Sequence, residues 1–95
     1  MDKTLVKRLK ALADETRLRL LGIMLSRERC ACDFSKGVGK DQSTVSRHLK
    51  VLEEAGIITS RREGRFIIYK IKDRGTERLL ISLGVERLDG DCGRC

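Results

Sequence analysis

The 95-residue sequence contains no proline, tryptophan or asparagine, and only three of its residues are aromatic: Phe34, Phe66 and Tyr69. A core with so few rings has to be built mainly from leucine, isoleucine and valine, and a core this small often gains stability by oligomerisation. No apolar run approaches the roughly 18 residues that a membrane helix needs, and no signal peptide begins the chain. We therefore expect one small cytoplasmic domain without a membrane partner.

Charge, by contrast, is abundant and unbalanced. Lysine and arginine number 21 against 14 aspartate and glutamate residues, so the net charge is +7 and the isoelectric point is about 9.6. This balance favours a polyanionic partner such as nucleic acid. No nucleophile–base arrangement is evident, and the absence of a βαβ pattern argues against a thiol–disulfide enzyme that uses Cys92 and Cys95. The sequence predicts that the chain is not an enzyme.

Apolar residues at helical spacing predict two helices in the first part of the chain. The first two apolar stripes consist of Leu5, Leu9 and Leu12, and of Leu18, Leu21 and Leu25. Asp14 lies where an N-cap of the second helix is expected. A short third helix is predicted from about Cys32 to Val38, before Gly39.

The fourth predicted helix begins after the N-cap Asp41 and ends at Gly56. Its buried face carries Val45, Leu49 and Leu52. Its opposite face carries only small polar and basic side chains, namely Ser43, Ser46, Arg47 and Lys50. This face has no apolar member, so it is expected to contact solvent or a polar partner.

A β-hairpin and a last helix are predicted next. Two β-rich runs, residues 57–61 and 65–71, are joined by Arg62, Glu63 and Gly64, where the glycine supplies the positive φ of a tight turn. Residues 74–88 are predicted to be helical. The fold class is therefore mainly α with a β-hairpin wing, a winged helix-turn-helix over residues 1–88, followed by a cysteine-containing tail over residues 89–95.

The fourth helix and the wing carry the residue types that bind DNA. A helix that enters the major groove needs small or polar side chains near its start, and an exposed helix N-terminus also favours a phosphate. The candidate DNA-binding residues are Gln42, Ser43, Thr44, Ser46, Arg47 and Lys50 on the helix and Arg61, Arg62 and Arg65 at the wing tip. An ordinary solvated helix face is the alternative, and His48 suits either a packing role or a DNA contact.

Three segments make the resemblance to a known family specific: LKALADETRLRLLGIML, ERCACDF and QSTVSRHLKVLEEAGIITSRREGRFIIYKI. Over residues 4–83 the chain resembles the ArsR–SmtB family of small winged-helix metalloregulators. The resemblance implies a homodimer, joined by its first and last helices, that binds double-stranded operator DNA at an imperfect palindrome. The apolar stripes at Leu5, Leu9 and Leu12 and at Leu79, Leu80 and Leu83 agree with such an interface.

The cysteines are the candidate metal ligands. Cys30 and Cys32 resemble the metal box of arsenite and cadmium/lead sensors in that family, and thiolates favour soft ions such as As(III), Sb(III), Cd(II), Pb(II) or Zn(II). Ser35 stands where some arsenite sensors have a third cysteine, and Cys92 and Cys95 form a further pair at the C-terminus. We expect the tail to supply the missing ligands, within one subunit or across the dimer.

The sequence thus predicts a metal-responsive repressor. Its apo dimer would bind operator DNA and be released when a soft ion binds the thiolates, with no organic cofactor. Cys30 and Cys32 as packing residues and Cys92 and Cys95 as a tail without ligand function are the simpler alternatives. A regulator that responds to thiol oxidation instead of metal is the alternative function.

Overall fold

The computed structural model describes residues 3–26, 29–30, 34 and 38–88, with Arg29 and Cys30 defined by their backbone pairing. Its elements are α1 (Lys3–Leu12), α2 (Glu15–Ser26), β1 (Arg29–Cys30), α3 (Gln42–Glu54), β2 (Ile58–Glu63), β3 (Phe66–Ile71) and α4 (Arg74–Leu83). This order confirms the predicted mainly α fold with a β-hairpin wing. The boundary predicted after residue 88 stays a prediction, because residues 89–95 lie outside the described part.

The core is centred on α2, whose second half is buried on all sides. Every residue from Leu20 to Leu25 is buried, so the predicted single apolar stripe underestimates how deeply this helix is enclosed. The predicted buried face of α3 is confirmed, because Val45, Leu49 and Leu52 are all inaccessible to solvent. Of the short helix predicted over residues 32–38, Phe34 and Val38 are helical and buried, and the other positions lie outside the described residues.

Aspartate side chains begin α2 and α3, as predicted. The backbone N–H of Arg17 donates to Asp14 Oδ2 at 3.0 Å, and the backbone N–H of Thr44 donates to Asp41 Oδ1 at 3.3 Å. The Arg17 hydrogen bond holds the pKa of the Asp14 carboxyl below its ordinary value, and hydrogen bonds from Thr44 and Ser43 do the same for the pKa of Asp41. Both carboxylates therefore satisfy N–H groups that the first helical turn leaves without intrahelical partners.

The wing hairpin is longer than predicted. In the antiparallel register of β2 with β3, Ile58 lies opposite Ile71 and Glu63 lies opposite Phe66. The loop is therefore the two residues Gly64 and Arg65, with φ of 62° at Gly64, as is typical of tight turns that begin with glycine. The prediction that Arg62 and Glu63 belong to the turn is wrong, since their cross-strand pairing continues the ladder.

A third strand, β1, was not predicted. Arg29 lies opposite Tyr69 and Cys30 lies opposite Ile68, in an antiparallel pairing that gives the strand order β1-β3-β2. Two residues are too few to show the alternation by which a strand is recognised in a sequence. The wing and the first cysteine consequently belong to one sheet.

The last helix ends earlier than residue 88. Asp73 caps its start, where the Thr76 backbone N–H donates to Asp73 Oδ1 at 2.8 Å and lowers the pKa of that carboxyl. Gly84, with φ of 107°, ends α4 in the left-handed conformation. Residues 85–88, here called the C-terminal strap, then turn back over α2, so the prediction of a helix to residue 88 is wrong.

Among the described residues, no helix combines the length and the apolar character needed to cross a membrane.

Candidate DNA-binding surface and thiol site

The polar face of α3 is open to solvent. Of the six residues predicted there to bind DNA, Thr44 is half-buried and the other five are exposed. The exposed residues are Gln42, Ser43, Ser46, Arg47 and Lys50. Because the opposite face is completely buried in the core, this face has one fixed orientation. The helix can therefore present it to a polar partner without rearrangement of the fold.

The first turn of α3 is already occupied by its own cap. The Ser43 hydroxyl donates to Asp41 Oδ2 at 2.9 Å, while the other carboxylate oxygen accepts from the Thr44 backbone. A phosphate approaching this helix end would meet a carboxylate, so the predicted preference of the helix N-terminus for phosphate is not supported here. The positive charge of the surface lies farther along the helix and on the wing.

The three wing arginines differ in their surroundings. Arg61 Nε lies 2.7 Å from Glu63 Oε2, so this guanidinium is held by a neighbour on its own strand. Arg62 and Arg65 are exposed and form no ion pair with any residue that the structure describes. Of the three wing arginines, Arg62 and Arg65 are therefore more available than Arg61 to a nucleic-acid phosphate.

His48 is a packing residue at the junction of three helices. Its Nδ1 lies 3.2 Å from Arg17 Nη1 and 3.9 Å from Asp14 Oδ2. Arg17 also donates from Nε to the Ala11 carbonyl at 2.6 Å. Arg17 thus connects the end of α1, the start of α2 and the middle of α3, a role that no local sequence signal indicated.

A hydrogen bond joins the base of the wing to α3. The Ser60 hydroxyl of β2 donates to Glu53 Oε2 at 2.7 Å, and Ser60 lies opposite Tyr69 of β3. The Tyr69 ring meets the buried Phe34 edge to face, with centroids 6.3 Å apart. Burial and the nearby Glu53 carboxylate raise the pKa of Tyr69. The wing, α3 and the segment that follows the first cysteines therefore share one set of contacts.

The structure places one of the four predicted ligands. Cys30 lies in β1, next to the wing, whereas Cys32, Cys92 and Cys95 lie outside the described residues. Cys30 therefore belongs to a strand, outside the short helix that was predicted to begin at about Cys32. Within the described part of the chain, no three His, Cys, Asp or Glu side chains come together as a metal site.

Apolar side chains remain uncovered on α1 and α4. They are between 40% and 60% exposed and comprise Leu5, Val6 and Leu9 on α1 and Leu79, Ile81 and Leu83 on α4, a set here called the α1–α4 apolar surface. Two residues of the predicted interface stripes belong instead to the core, because Leu80 is fully buried and Leu12 packs against the core cluster. Val6 and Ile81 were not predicted.

Comparison with known proteins agrees with this geometry. The family model described as bacterial regulatory protein, arsR family, matches residues 14–60. An HTH-type transcriptional regulator of Methanocaldococcus jannaschii is 35% identical over 72 residues, which are 75% of this chain and 81% of that protein. The chain belongs to the ArsR family of regulatory proteins. Its relatives and structural neighbours are regulators of transcription and not enzymes.

Two further relatives carry names that include an effector. The cadmium resistance transcriptional regulatory protein CadC homolog of Staphylococcus aureus is 33% identical over 72 residues, 75% of this chain and 60% of that protein. The arsenical resistance operon repressor of Escherichia coli is 39% identical over 64 residues, 65% of this chain and 54% of that protein. The chain thus spans little more than half the length of these two relatives.

A solved structure shares the fold over most of the chain. The homodimeric winged helix-turn-helix DNA-binding domain from Mycobacterium bovis has a TM-score of 0.82 and 29% sequence identity, and the match covers 86% of this chain and 76% of that one. The likeness confirms the predicted winged helix-turn-helix class.

Proposed function

We propose that this ArsR-family chain is a metal-responsive transcriptional repressor of the cytoplasm. As an apo homodimer it binds operator DNA, and it is released when a soft thiophilic ion binds cysteine thiolates. The observation that supports this most strongly is the exposed polar face of α3 beside two wing arginines that form no ion pair with any described residue. That surface belongs to a fold whose family consists of DNA-binding regulators.

In this proposal α3 enters the major groove. Ser46, Arg47 and Lys50 reach base edges and phosphates, since small and basic side chains let the helix approach closely. Arg62 and Arg65 of the wing contact backbone phosphate or the adjacent minor groove. Arg61 contributes less, because Glu63 already neutralises part of its charge.

The dimer is formed by the α1–α4 apolar surface. Exposed leucine, isoleucine and valine side chains on two neighbouring helices are costly in a monomer and are covered when two copies meet. The homodimeric M. bovis domain supports this arrangement. A two-fold axis through the interface would present two copies of α3 to successive major grooves, about 34 Å apart.

The thiols fit a soft ion by chemistry and spacing. Only one residue separates Cys30 from Cys32, so their Cα atoms are at most about 7 Å apart and both sulfurs can contact one ion. Two ligands rarely suffice, and Cys92 and Cys95 are the remaining thiols. The named effectors of the S. aureus and E. coli relatives support cadmium- or arsenic-type ions, with Sb(III), Pb(II) and Zn(II) in the same chemical class.

The wing sheet provides the coupling between thiols and DNA. Cys30 is paired with β3, β3 is paired with β2, and Ser60 of β2 is hydrogen-bonded to Glu53 of α3. An ion that draws the Cys30 segment toward other ligands would either pull β3 with it through the β1–β3 pairing or break that pairing. The wing and α3 would then lose their common fit to the DNA, with a coupling of about 1–3 kcal/mol.

The test is a titration of the reduced protein on its upstream DNA with As(III), Cd(II) and Zn(II), read by fluorescence anisotropy and thiolate–metal absorbance. Release at stoichiometric metal is expected for the wild type, whereas Cys32→Ser should bind DNA but resist release. Retention of DNA at saturating thiolate–metal absorbance would contradict the proposal. Release by peroxide without metal, reversed by a dithiol, would instead favour the redox regulator.

A further inference from the structure

The Arg17 side chain of α2 bonds to both α1 and α3. Its guanidinium donates from Nε to the Ala11 carbonyl at 2.6 Å and from Nη2 to the Lys10 carbonyl at 3.3 Å, both at the end of α1. The remaining nitrogen, Nη1, lies 3.2 Å from His48 Nδ1 of α3. All three nitrogen atoms of the guanidinium are therefore engaged, and they join the C-terminal end of α1 to the middle of α3.

The end of α1 holds the guanidinium in place. Lys10 and Ala11 lie in the last turn of α1, where a helix leaves carbonyl groups without their usual donors. A positive charge at this end also interacts favourably with the negative end of the helix dipole. The guanidinium is thus fixed from the α1 side, and its Nη1 presents a donor to α3 at a defined place.

The contact with His48 has a defined direction. A guanidinium donates hydrogen bonds and cannot accept them, so His48 Nδ1 has to be the acceptor and the proton of the neutral imidazole lies on Nε2. Asp14 Oδ2 is farther from Nδ1, at 3.9 Å, and it already accepts from the Arg17 backbone N–H at 3.0 Å. Arg17, rather than Asp14, therefore orients the His48 ring.

The two helices that Arg17 joins have different tasks in the proposed repressor. His48 directly follows Arg47 on α3, whose exposed face carries candidate DNA-binding residues. α1 carries part of the α1–α4 apolar surface, through which the proposed dimer forms. In such a dimer, the separation and tilt of the two copies of α3 depend on the angle between α3 and α1 within each subunit.

We propose that Arg17 is a positioning residue for operator binding, which acts through His48 and touches no DNA itself. It holds α3 at the angle to α1 that lets both copies of α3 meet successive major grooves. This rests on the proposed function. Loss of the contact should lower the affinity for the operator but not the sequence-independent attraction to DNA, which depends on exposed cations such as Arg62 and Arg65.

The first test uses Arg17→Lys, which keeps the positive charge but offers one nitrogen in place of three. Fluorescence anisotropy with the metal-free, full-length protein measures binding to the upstream DNA and to an unrelated duplex of equal length. The affinity for the upstream DNA should fall about tenfold, whereas the affinity for the unrelated duplex should stay within about twofold of the wild type. Partial unfolding would instead lower both affinities equally.

The control is Arg19→Lys, the same change at an exposed position of α2. It should bind both duplexes like the wild type. An equal loss of affinity for both duplexes in Arg17→Lys, or no loss for either, would overturn the proposal.

Variants of His48 test the same contact from α3, and they do not depend on the folding of Arg17→Lys. His48→Asn places an amide oxygen near the position of Nδ1, where it can accept from Arg17, whereas His48→Gln places its amide near the position of Nε2. His48→Asn should keep the preference for the upstream DNA, and His48→Gln should reduce this preference about tenfold. Equal preferences in the two variants would contradict an action through Nδ1.

The double variant Arg17→Lys/His48→Gln shows whether the two residues act together. If Arg17 acts through His48, adding His48→Gln to Arg17→Lys should reduce the preference by less than about a further twofold. Two losses that multiply would show independent roles and would overturn the proposal.

The protonation of His48 can be observed directly, because it is the only histidine of the chain. Long-range proton–nitrogen NMR spectra, recorded at a pH at which the ring is neutral, should show the proton on Nε2 in the wild type. A neutral ring with its proton on Nδ1 would contradict the contact with Arg17.

The wild type separates this proposal from the function on which it rests. If the wild type prefers its upstream DNA, Arg17→Lys loses that preference and metal releases neither, the metal response is refuted and the positioning role is retained. If the wild type and Arg17→Lys prefer the upstream DNA equally, only the positioning role is refuted. A wild type without any preference would refute operator binding and the positioning role together.

Discussion

Cys30 of β1 lies directly opposite Ile68 in the antiparallel register with β3. Ile68 in turn lies opposite Arg61 of β2, so the backbone positions of Cys30, Ile68 and Arg61 follow one another across the sheet. Sliding β1 along β3 would break the hydrogen bonds of this two-residue pairing. A ligand that moves Cys30 therefore has to move the wing or break the β1–β3 pairing.

Arg62→Ala should weaken operator binding and make the plot of log affinity against log salt less steep by about 1.8, the change expected when each subunit of the proposed dimer loses one phosphate contact. The control is Arg19→Ala, which removes the same charge from a surface pair with Glu15 on α2. Fluorescence anisotropy at several salt concentrations measures both slopes. Identical slopes for Arg62→Ala and the wild type would exclude Arg62 as a phosphate contact.

Ser60→Ala tests the link between the wing and α3. Loss of the hydroxyl that donates to Glu53 should leave metal binding unchanged but weaken metal-driven release from DNA. The ratio of the DNA affinity without metal to the DNA affinity with metal should fall by about threefold. Ser82→Ala, at an exposed position of α4, is the matched control. If the affinity ratio of Ser60→Ala equals that of Ser82→Ala, the contact between Ser60 and Glu53 does not transmit the effect of metal binding to the DNA-binding surface.

Leu9→Glu and Leu83→Glu should dissociate the proposed dimer. Both side chains belong to the α1–α4 apolar surface and are more than half exposed in one subunit, so the subunit fold should survive while a buried charge opposes association. We expect at least about a tenfold rise in the dimer dissociation constant, measured by sedimentation velocity. Val51→Glu, on α3, should associate like the wild type, and a dimer unaffected by either leucine change would place the interface elsewhere.

Acid stability depends on the three capping carboxylates. The pKa values of Asp14, Asp41 and Asp73 all lie below the ordinary value of 3.8, so each contributes stability that is fully present above that pH and is lost as the pH falls through the folded-state pKa. In the double variant Asp41→Asn/Asp73→Asn, the free energy of unfolding should therefore depend less strongly on pH below about 4. Circular dichroism during acid titration measures this, and an unchanged acid transition would rule out these caps as its cause.

Local chemistry decided which parts of the fold could be predicted. Asp14 and Asp41 as caps, Gly56 at the end of α3 and the buried face of α3 depend on neighbours in sequence, and all were correct. β1 and the strap depend on partners far along the chain: Cys30 pairs with Ile68, and Leu88 is bonded to Gly22. Both segments are too short to show a periodic spacing of apolar residues, so neither was predicted.

In the candidate site, too, some features depend on neighbours in sequence and others on residues far along the chain. The polar face of α3 followed from helical spacing, but the difference between Arg61 and Arg62 depends on where Glu63 lies in the folded hairpin. The assignment of His48 to packing required the position of Arg17, which precedes it by 31 residues. Only the folded chain brings these groups together.

The most direct test of the central claim is the affinity of the reduced dimer for Cd(II), measured with and without saturating operator DNA. Because coupling between two ligands is reciprocal, DNA should weaken metal binding by the factor by which metal weakens DNA binding, about 5- to 150-fold. Equal metal affinities in the presence and absence of DNA would show that the thiols do not control DNA binding, and would contradict a metal-gated repressor.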